Sequence, residues 1–180
     1  FMPMSLGQVL SIAASKVLDL SSPETDVRHR LILSLLTPSL SMMKTKHVLP
    51  MTLFHGGRDS DLMTSRFRLW RSQFDPKTML WSDEELVVED RSYLATIDGS
   101  GKTYVEKFER KAAKTSAAGT SRSAVHAFCT SLRSASDPFS GGAPQLVGLW
   151  RKGPARQFGF CWNGKSFVGG MQVTSDLDCE

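Results

Sequence analysis

Residues 157–168 read Gln-Phe-Gly-Phe-Cys-Trp-Asn-Gly-Lys-Ser-Phe-Val, and this stretch decides the fold class. Asn163-Gly164 is typical of a two-residue β-hairpin turn, because both central positions of that turn need a positive φ. The flanking residues 157–162 and 165–168 are therefore predicted to pair as antiparallel strands. Residues 145–151 supply a third strand before them, reached through the turn Lys152-Gly153-Pro154-Ala155.

Toward the amino terminus, these strands are preceded by two predicted helices. One covers about 103–114, and the other begins after Gly119 with Thr120 or Ser121 as its cap. Before them, residues 66–81 predict a hairpin around the turn Asp75-Pro76-Lys77-Thr78, and residues 86–97 predict a further extended segment.

The first third of the chain carries helical signals. Residues 5–20 have helical apolar spacing, and Ser22-Pro23 is typical of the start of a second helix, which Pro38 should end or kink. Its predicted buried stripe is Val27, Leu31 and Leu35. A short strand at 48–54 should then break at Gly56-Gly57. The order of helices, strands, helices and strands predicts an α+β protein and excludes an alternating parallel α/β sheet as the simplest fold.

Composition narrows the class of protein. In 180 residues, 41% are hydrophobic and 22% charged, which excludes a disordered chain or a collagen-like fibre. No apolar run approaches the roughly 20 residues of a membrane span, and no signal peptide is evident, so we expect a protein of the cytoplasm or nucleus without a membrane partner. The three cysteines, Cys129, Cys161 and Cys179, are not clustered, which predicts free thiols in a reducing compartment. The four histidines are scattered singly and predict no metal site; they are His29, His47, His55 and His126.

The motif Gly99-Ser100-Gly101-Lys102-Thr103 partly matches the end of a phosphate-binding P-loop between a strand and a helix. The pattern also requires a glycine five residues before Gly101, where this chain has Thr96. The antiparallel hairpins that follow offer no parallel strands for a nucleotide fold. The P-loop interpretation is therefore the weaker one.

A second pattern combines Gly99-Ser100-Gly101 with Asp137-Pro138-Phe139-Ser140-Gly141-Gly142. Asp137 lies 37 residues after Ser100, and Ser140 lies 40 residues after it. A strand is predicted before the first motif, two helices between the motifs, and strands after the second. In this order of motifs and elements, residues 66–170 resemble the proteasome β-subunit branch of the N-terminal nucleophile (Ntn) hydrolases.

The resemblance implies a fold, a site and an assembly. The fold would be a four-layer αββα sandwich of two antiparallel sheets flanked by helices, with residues 1–65 as a helical part and 66–180 as the core of one domain. Ser100 and Ser140 would hydrogen-bond near a nucleophilic N-terminal Thr and its amine, and Asp137 would hold that arrangement. A backbone amide at Gly99 or Gly101 would lie near the oxyanion. The family uses no cofactor, acts on peptides and packs like subunits into oligomers.

The sequence departs from the family at its first residue. Phe1 is not a nucleophile, and counting back from Ser100 places the family's first strands, nucleophile and lysine before residue 1. We therefore expect either a fragment without those strands or a diverged relative. The chain as given is not expected to cleave peptides by the threonine mechanism. The resemblance therefore implies either a peptide- or amide-hydrolysing protein whose nucleophile lies outside this sequence, or a catalytically silent subunit of such an assembly.

The competing hypothesis is a binding module. Residues 101–156 contain ten basic and three acidic side chains, which could contact nucleic acid or an acidic protein. A solvated basic helix is the simpler interpretation of this segment. Four tryptophans on predicted strands are more simply core or sheet-face residues than base-stacking platforms; these are Trp70, Trp81, Trp150 and Trp162. His55 could act as a catalytic base in a loop, but without an assignable Ser or Cys partner it is more simply a lone loop histidine.

Overall fold

The computed structural model describes residues 24–41, 49–60, 62–116, 118–134 and 137–174. The helix predicted at 5–20 and the helix start at Ser22-Pro23 lie outside these residues. The chain divides into two compact units, Phe1–Val88 and Glu89–Glu180. Thus the hairpin that was predicted to begin the second part of the domain belongs to the first unit.

The first unit contains one described helix and a three-stranded antiparallel sheet. Helix α1 spans Thr25–Ser41, and strands β1, β2 and β3 span Met51–Arg58, Phe67–Asp75 and Leu80–Leu86. The sheet order is β1-β2-β3. The predicted hairpin is confirmed, since β2 and β3 pair across a turn at residues 76–79.

Helix α1 differs from its prediction in which face is buried. Thr25, His29, Ile32 and Leu36 are buried at helical spacing, whereas 27, 31 and 35 are only partly buried. The predicted stripe is therefore rotated by about one position, because the true stripe includes two polar residues that apolar periodicity does not count. The helix continues through Pro38 to Ser41, so of the two effects predicted for the proline the end of the helix is wrong, and a kink stays a prediction.

Two hydrogen bonds fasten the ends of α1 to the rest of the first unit. Thr25 Oγ1 donates to Asp59 Oδ1 at 2.8 Å, and Trp81 Nε1 donates to Thr37 Oγ1 at 3.0 Å. Between these ends, Ile32 and Leu36 form the core together with partly buried apolar residues of the helix and the sheet, which are Leu35, Leu53 and Trp81. Packing and polar contacts thus fix the same face of α1.

Gly56 and Gly57 do not break the chain as predicted; both lie within β1. The reason is close packing: a Cβ atom added to Gly57 would lie 2.1 Å from Thr25 Cγ2. Any larger side chain would displace the start of α1 from the strand. Gly57 therefore allows the start of α1 to lie close to β1, and it does not form a turn.

The second unit contains a helical hairpin followed by a four-stranded antiparallel sheet. Helices α2 and α3 span Lys102–Ala112 and Ser121–Arg133. The sheet order is β4-β5-β6-β7, with strands at Leu146–Gly148, Arg156–Trp162, Lys165–Val168 and Met171–Gln172. Residues 87–98 contain no strand. The extended segment predicted at 86–97 is therefore not a strand, except for Leu86, which is the last residue of β3.

Two local predictions in the second unit are confirmed. Thr120 caps α3, its Oγ1 accepting a hydrogen bond from the Ser123 amide at 3.1 Å. Asn163 and Gly164 have φ values of 52° and 72° and connect β5 to β6. Both positive values match the turn that the Asn-Gly pair predicts.

Two residue-level expectations for the second unit are wrong. Cys161 is disulfide-bonded rather than a thiol, whereas Cys129 is a free thiol as predicted; Cys179 lies outside the described residues. Trp150 lies after the end of β4 and is 44% exposed, so it is neither on a strand nor in the core. Trp70 and Trp162 are buried and Trp81 packs against the core, as expected.

The described residues thus form an α+β protein with two antiparallel sheets of three and four strands. The four-layer arrangement is a finer statement and stays a prediction. Among the described residues, no helix has both the length and the apolar character to cross a bilayer.

Candidate functional site

The second unit brings together the three side chains predicted for the site. Ser100 Oγ donates a hydrogen bond to Asp137 Oδ2 at 2.6 Å, although the two residues are 37 positions apart. Ser140 Oγ donates to the same oxygen at 2.5 Å. We call these three residues the serine–aspartate cluster. Their catalytic role stays a prediction.

The backbone around Ser100 explains the two glycines. Gly99 has a φ of +98°, a region that residues with a Cβ atom rarely adopt, and it turns the chain into α2. A Cβ atom on Gly101 would lie 3.1 Å from Ser140 Oγ and 3.3 Å from Asp137 Oδ2. Gly101 therefore leaves the space in which the loop at 137–140 approaches the start of α2.

The Asp137 carboxylate is held in its ionised form by hydrogen bonds. The Ser100 hydroxyl is the largest cause that lowers the pKa of Asp137, followed by the Ser140 hydroxyl, with a smaller contribution from the Phe139 amide. That amide donates to Oδ1 at 3.1 Å. Since all three donors favour the charged form, the cluster carries a negative charge at neutral pH.

The direction of these hydrogen bonds limits the chemistry of the cluster. Each serine hydroxyl donates its single proton to Asp137, so each oxygen keeps lone pairs that can accept a further hydrogen bond. Two such oxygens beside one carboxylate suit a cationic donor such as an ammonium group. The cluster can therefore bind and orient an amine. Neither serine is arranged as an activated nucleophile, because the carboxylate that accepts its proton has a lowered pKa and is a weak base.

A small cavity lies beside the cluster. It has a volume of about 150 Å³ and combines polar and apolar walls. The polar wall is formed by the cluster together with Asp98 and Ser131. The apolar wall is formed by side chains of the segment before α2 and of the two helices, namely Ile97, Val105, Phe128 and Leu132. The cavity is large enough for a few atoms of a ligand rather than for a whole peptide.

The Gly99 amide, one of the two predicted backbone donors, is engaged differently from an oxyanion hole. The Gly99 amide donates to Asp98 Oδ1 at 2.7 Å. The Gly101 carbonyl accepts the amides of Tyr104 and Val105 in the first turn of α2. In this structure the Gly99 N–H group is thus occupied within its own loop, and the oxyanion role stays a prediction.

The structure around Gly99-Ser100-Gly101 does not provide the parallel strand that a P-loop requires. A P-loop follows a strand of a parallel sheet, whereas residues 87–98 carry no strand and the pairings among described strands are all antiparallel. Lys102 begins α2 and lies 3.9 Å from Glu106, its neighbour one turn later. These features are those of an ordinary helix start.

A second polar cluster, in the first unit, was not predicted from the sequence. His29 Nε2 lies 3.0 Å and 3.1 Å from the two carboxylate oxygens of Asp83, and His29 Nδ1 lies 3.2 Å from His55 Nδ1. Ser72 Oγ donates to Asp83 Oδ1 at 2.6 Å. The indole of Trp70 stacks on both imidazoles, with centroid distances of 4.8 Å and 5.6 Å. We call these five residues the histidine cluster.

One arrangement of protons satisfies these hydrogen bonds with both rings uncharged. In it, His29 Nε2–H donates to Asp83, and His29 Nδ1 accepts from His55 Nδ1–H. Burial, followed by the nearby charges of His29 and Arg28, lowers the pKa of His55 from 6.5 to about 4. The His55 ring is therefore neutral at pH 7, and the interpretation of His55 as a lone loop histidine was wrong.

The role of the histidine cluster is structural. His29 is on the buried face of α1, His55 and Trp70 are paired across β1 and β2, and Ser72 and Asp83 are paired across β2 and β3. The cluster therefore joins the helix to all three strands. In the part of the chain that is described, no group of three or more His, Cys, Asp or Glu residues could hold a metal ion.

Comparison of the chain with protein-family models, curated proteins and solved structures found no match. The Ntn-hydrolase resemblance therefore depends on the residues of this chain alone.

Proposed function

We propose that this chain is a proteasome-like Ntn-hydrolase family protein, and that the serine–aspartate cluster is the supporting half of its amide-hydrolysing site. The observation that carries the proposal is the shared oxygen: Asp137 Oδ2 accepts hydrogen bonds from both Ser100 and Ser140. The three residues come from two glycine-flanked motifs at the family's spacing. A chance pair of glycine-rich turns would have no reason to meet at one carboxylate.

The chemistry of the cluster supports a partner that carries an amine. In an Ntn hydrolase, the N-terminal residue supplies both the nucleophile and the base, the base being its own α-amino group. Two serine oxygens and an ionised carboxylate are suited to hold that group in place. The proposed nucleophile is therefore a mature N-terminal Thr, Ser or Cys of the natural protein, and the finer fold is the four-layer sandwich.

The mature N-terminus of the natural protein tests this proposal most directly. Intact mass and stepwise N-terminal sequencing should find Thr, Ser or Cys, and the purified protein should hydrolyse a fluorogenic peptide. Asp137→Asn should lower kcat strongly because it weakens both serine contacts. Asp90→Asn is the matched control, since the Asp90 side chain is fully exposed and 3.9 Å from its nearest cation.

The silent-subunit form of the proposal predicts a different pair of results. A mature N-terminus without a nucleophile should then accompany stable assembly with like subunits that do hydrolyse peptides. Size-exclusion chromatography with light scattering, followed by mass spectrometry of the assembly, would measure this. A monomer that has no N-terminal nucleophile and no hydrolytic partner contradicts both forms.

A further inference from the structure

The helical hairpin of the second unit carries a groove that lies apart from the serine–aspartate cluster. It has a volume of about 480 Å³, within the range of about 300–1,000 Å³ that is usual for ligand sites. One wall comes from the end of α2 and the residues after it, and the other from the first half of α3. Its lining includes no residue of the serine–aspartate cluster.

The groove has cationic walls and an apolar floor. Lys111 stands on α2, and Arg122 and His126 stand one turn apart on α3; all three side chains are exposed. Phe108, Ala112 and Ala127 form the floor, where Ala127 is 1% exposed. We call these six residues the basic groove.

The positive charge of the basic groove is not neutralised by the described part of the chain. No Asp or Glu is among its lining residues. The carboxylate of Glu106 is directed to Lys102 rather than to the groove. Among described residues, neither Lys111 nor Arg122 forms an ion pair. Two fixed cations that face each other across an apolar floor should attract an anionic ligand.

The form of the groove distinguishes between anionic ligands. Single-stranded nucleic acid binds basic surfaces largely by stacking bases on aromatic faces. The basic groove has two rings, the phenyl ring of Phe108 and the smaller imidazole of His126, and the Lys111 ammonium already lies 5.4 Å from the Phe108 centroid. The alanine methyl groups of the floor suit an aliphatic side chain, and the remaining lining residues, Thr115, Ser123 and Thr130, add hydroxyl groups. A ligand must therefore place carboxylates on both sides of an apolar group.

We infer that the basic groove binds an acidic peptide segment of a partner protein, in which one aliphatic residue is flanked by Asp or Glu. The aliphatic side chain contacts the alanine floor, and the flanking carboxylates pair with Lys111 and Arg122. Arginine is suited to this role because its planar fork binds a carboxylate through two parallel hydrogen bonds. The inference concerns a site separate from the proposed hydrolase site and does not depend on hydrolysis.

Fluorescence anisotropy of labelled probes tests the inference. The acidic probe is the pentapeptide Asp-Glu-Leu-Asp-Glu, and the neutral probe is Asn-Gln-Leu-Asn-Gln, which has the same length and apolar centre. The acidic probe should bind more tightly, and its affinity should fall as ionic strength rises. Lys111→Gln and Arg122→Gln should each weaken binding by about tenfold, as expected when one charge-assisted hydrogen bond is lost.

Lys165→Gln is the matched control, because Lys165 is an exposed lysine on β6 outside the groove. It should leave the affinity of the acidic probe unchanged. Since all three substituted side chains are exposed, circular dichroism should show the same helix content in each variant. Equal binding of the two peptides, or an equal loss of affinity in the Lys165 control, would overturn the inference.

An oligothymidylate of eight nucleotides separates the peptide from a nucleic-acid ligand. The inference expects it to bind more weakly than the acidic peptide at the same salt concentration. An oligonucleotide that binds more tightly and loses affinity in the Lys111 and Arg122 variants would assign the basic groove to nucleic acid and overturn the peptide assignment.

Discussion

Acidification from pH 7 to pH 5 should destabilise the first unit through one imidazole, that of His55. Its pKa is lowered from 6.5 to about 4 by burial and by the adjacent charges of His29 and Arg28. The neutral ring is thus favoured in the folded state. The stabilisation is fully present above pH 6.5 and is lost as the pH falls from 6.5 to 4, because the unfolded chain then binds a proton that the folded chain excludes.

The magnitude follows from the two pKa values. Each tenfold change in proton affinity is worth about 1.4 kcal/mol, so titration between pH 7 and pH 5 should lower the free energy of unfolding by about 2 kcal/mol. The pKa of Glu85 is lowered below its ordinary value of 4.5, so the stabilisation that its carboxylate contributes is lost mainly at pH values more acidic than pH 5. The window from pH 7 to pH 5 therefore reports mainly on histidine.

The matched variant is His55→Asn, whose side-chain amide can still donate a hydrogen bond to His29 Nδ1 but does not titrate. Urea unfolding followed by tryptophan fluorescence at pH 7 and pH 5 measures both proteins, and a histidine NMR titration measures the pKa directly. The fall in stability should be about 2 kcal/mol smaller in the variant. Equal falls in both proteins, or an NMR pKa near 6.5 for His55, would refute the reasoning.

Three further predictions concern close packing, the serine–aspartate cluster and the hairpin turn. Gly57→Ala should lower the free energy of unfolding in urea by about 1–3 kcal/mol, because its Cβ atom would clash with the Thr25 methyl group. Adding Thr25→Ser to the same chain removes that methyl group and should recover much of the loss. No recovery would contradict the packing argument. Ser100→Ala should raise the pKa of Asp137, measured by carboxyl carbon NMR, since the Ser100 hydroxyl is the largest cause of its lowering; an unchanged pKa would show that the bond does not persist in solution. Gly164→Ala should cost about 1 kcal/mol of thermal or urea stability because the φ of 72° disfavours a side chain, and a neutral result would argue against that turn.

The features that sequence predicts well here are local. The Asn163-Gly164 turn, the Thr120 cap and the β2–β3 hairpin each depend on a few neighbouring residues whose backbone preferences agree. The meeting of Ser100 with Asp137 was also predicted, but from a family pattern rather than from local preference. Nothing in the composition of either motif would bring residues 37 positions apart together.

The features that sequence misses depend on tertiary contacts. His29 is buried only because Asp83, Ser72 and His55 satisfy its hydrogen bonds, and those partners come from three strands. A periodicity that counts apolar residues therefore misplaces the buried face of α1. One feature of the sequence could have indicated the partners of His29. If β1 is extended through Gly57, His55 lies on the same sheet face as Trp70. The glycines concealed it, because a glycine pair is more often a turn than a site of close helix contact.

The two serine hydrogen bonds to Asp137 converge on a single oxygen, Oδ2, and this has a consequence for acid conditions. One proton bound there would weaken the hydrogen bonds of both serines at once, because a protonated carboxyl oxygen is a poorer acceptor than a carboxylate oxygen. The Ser100 bond joins the junction that begins α2 to the loop that precedes β4, whereas the Ser140 bond lies within that loop. The contact between junction and loop and the order within the loop should therefore weaken with one common midpoint.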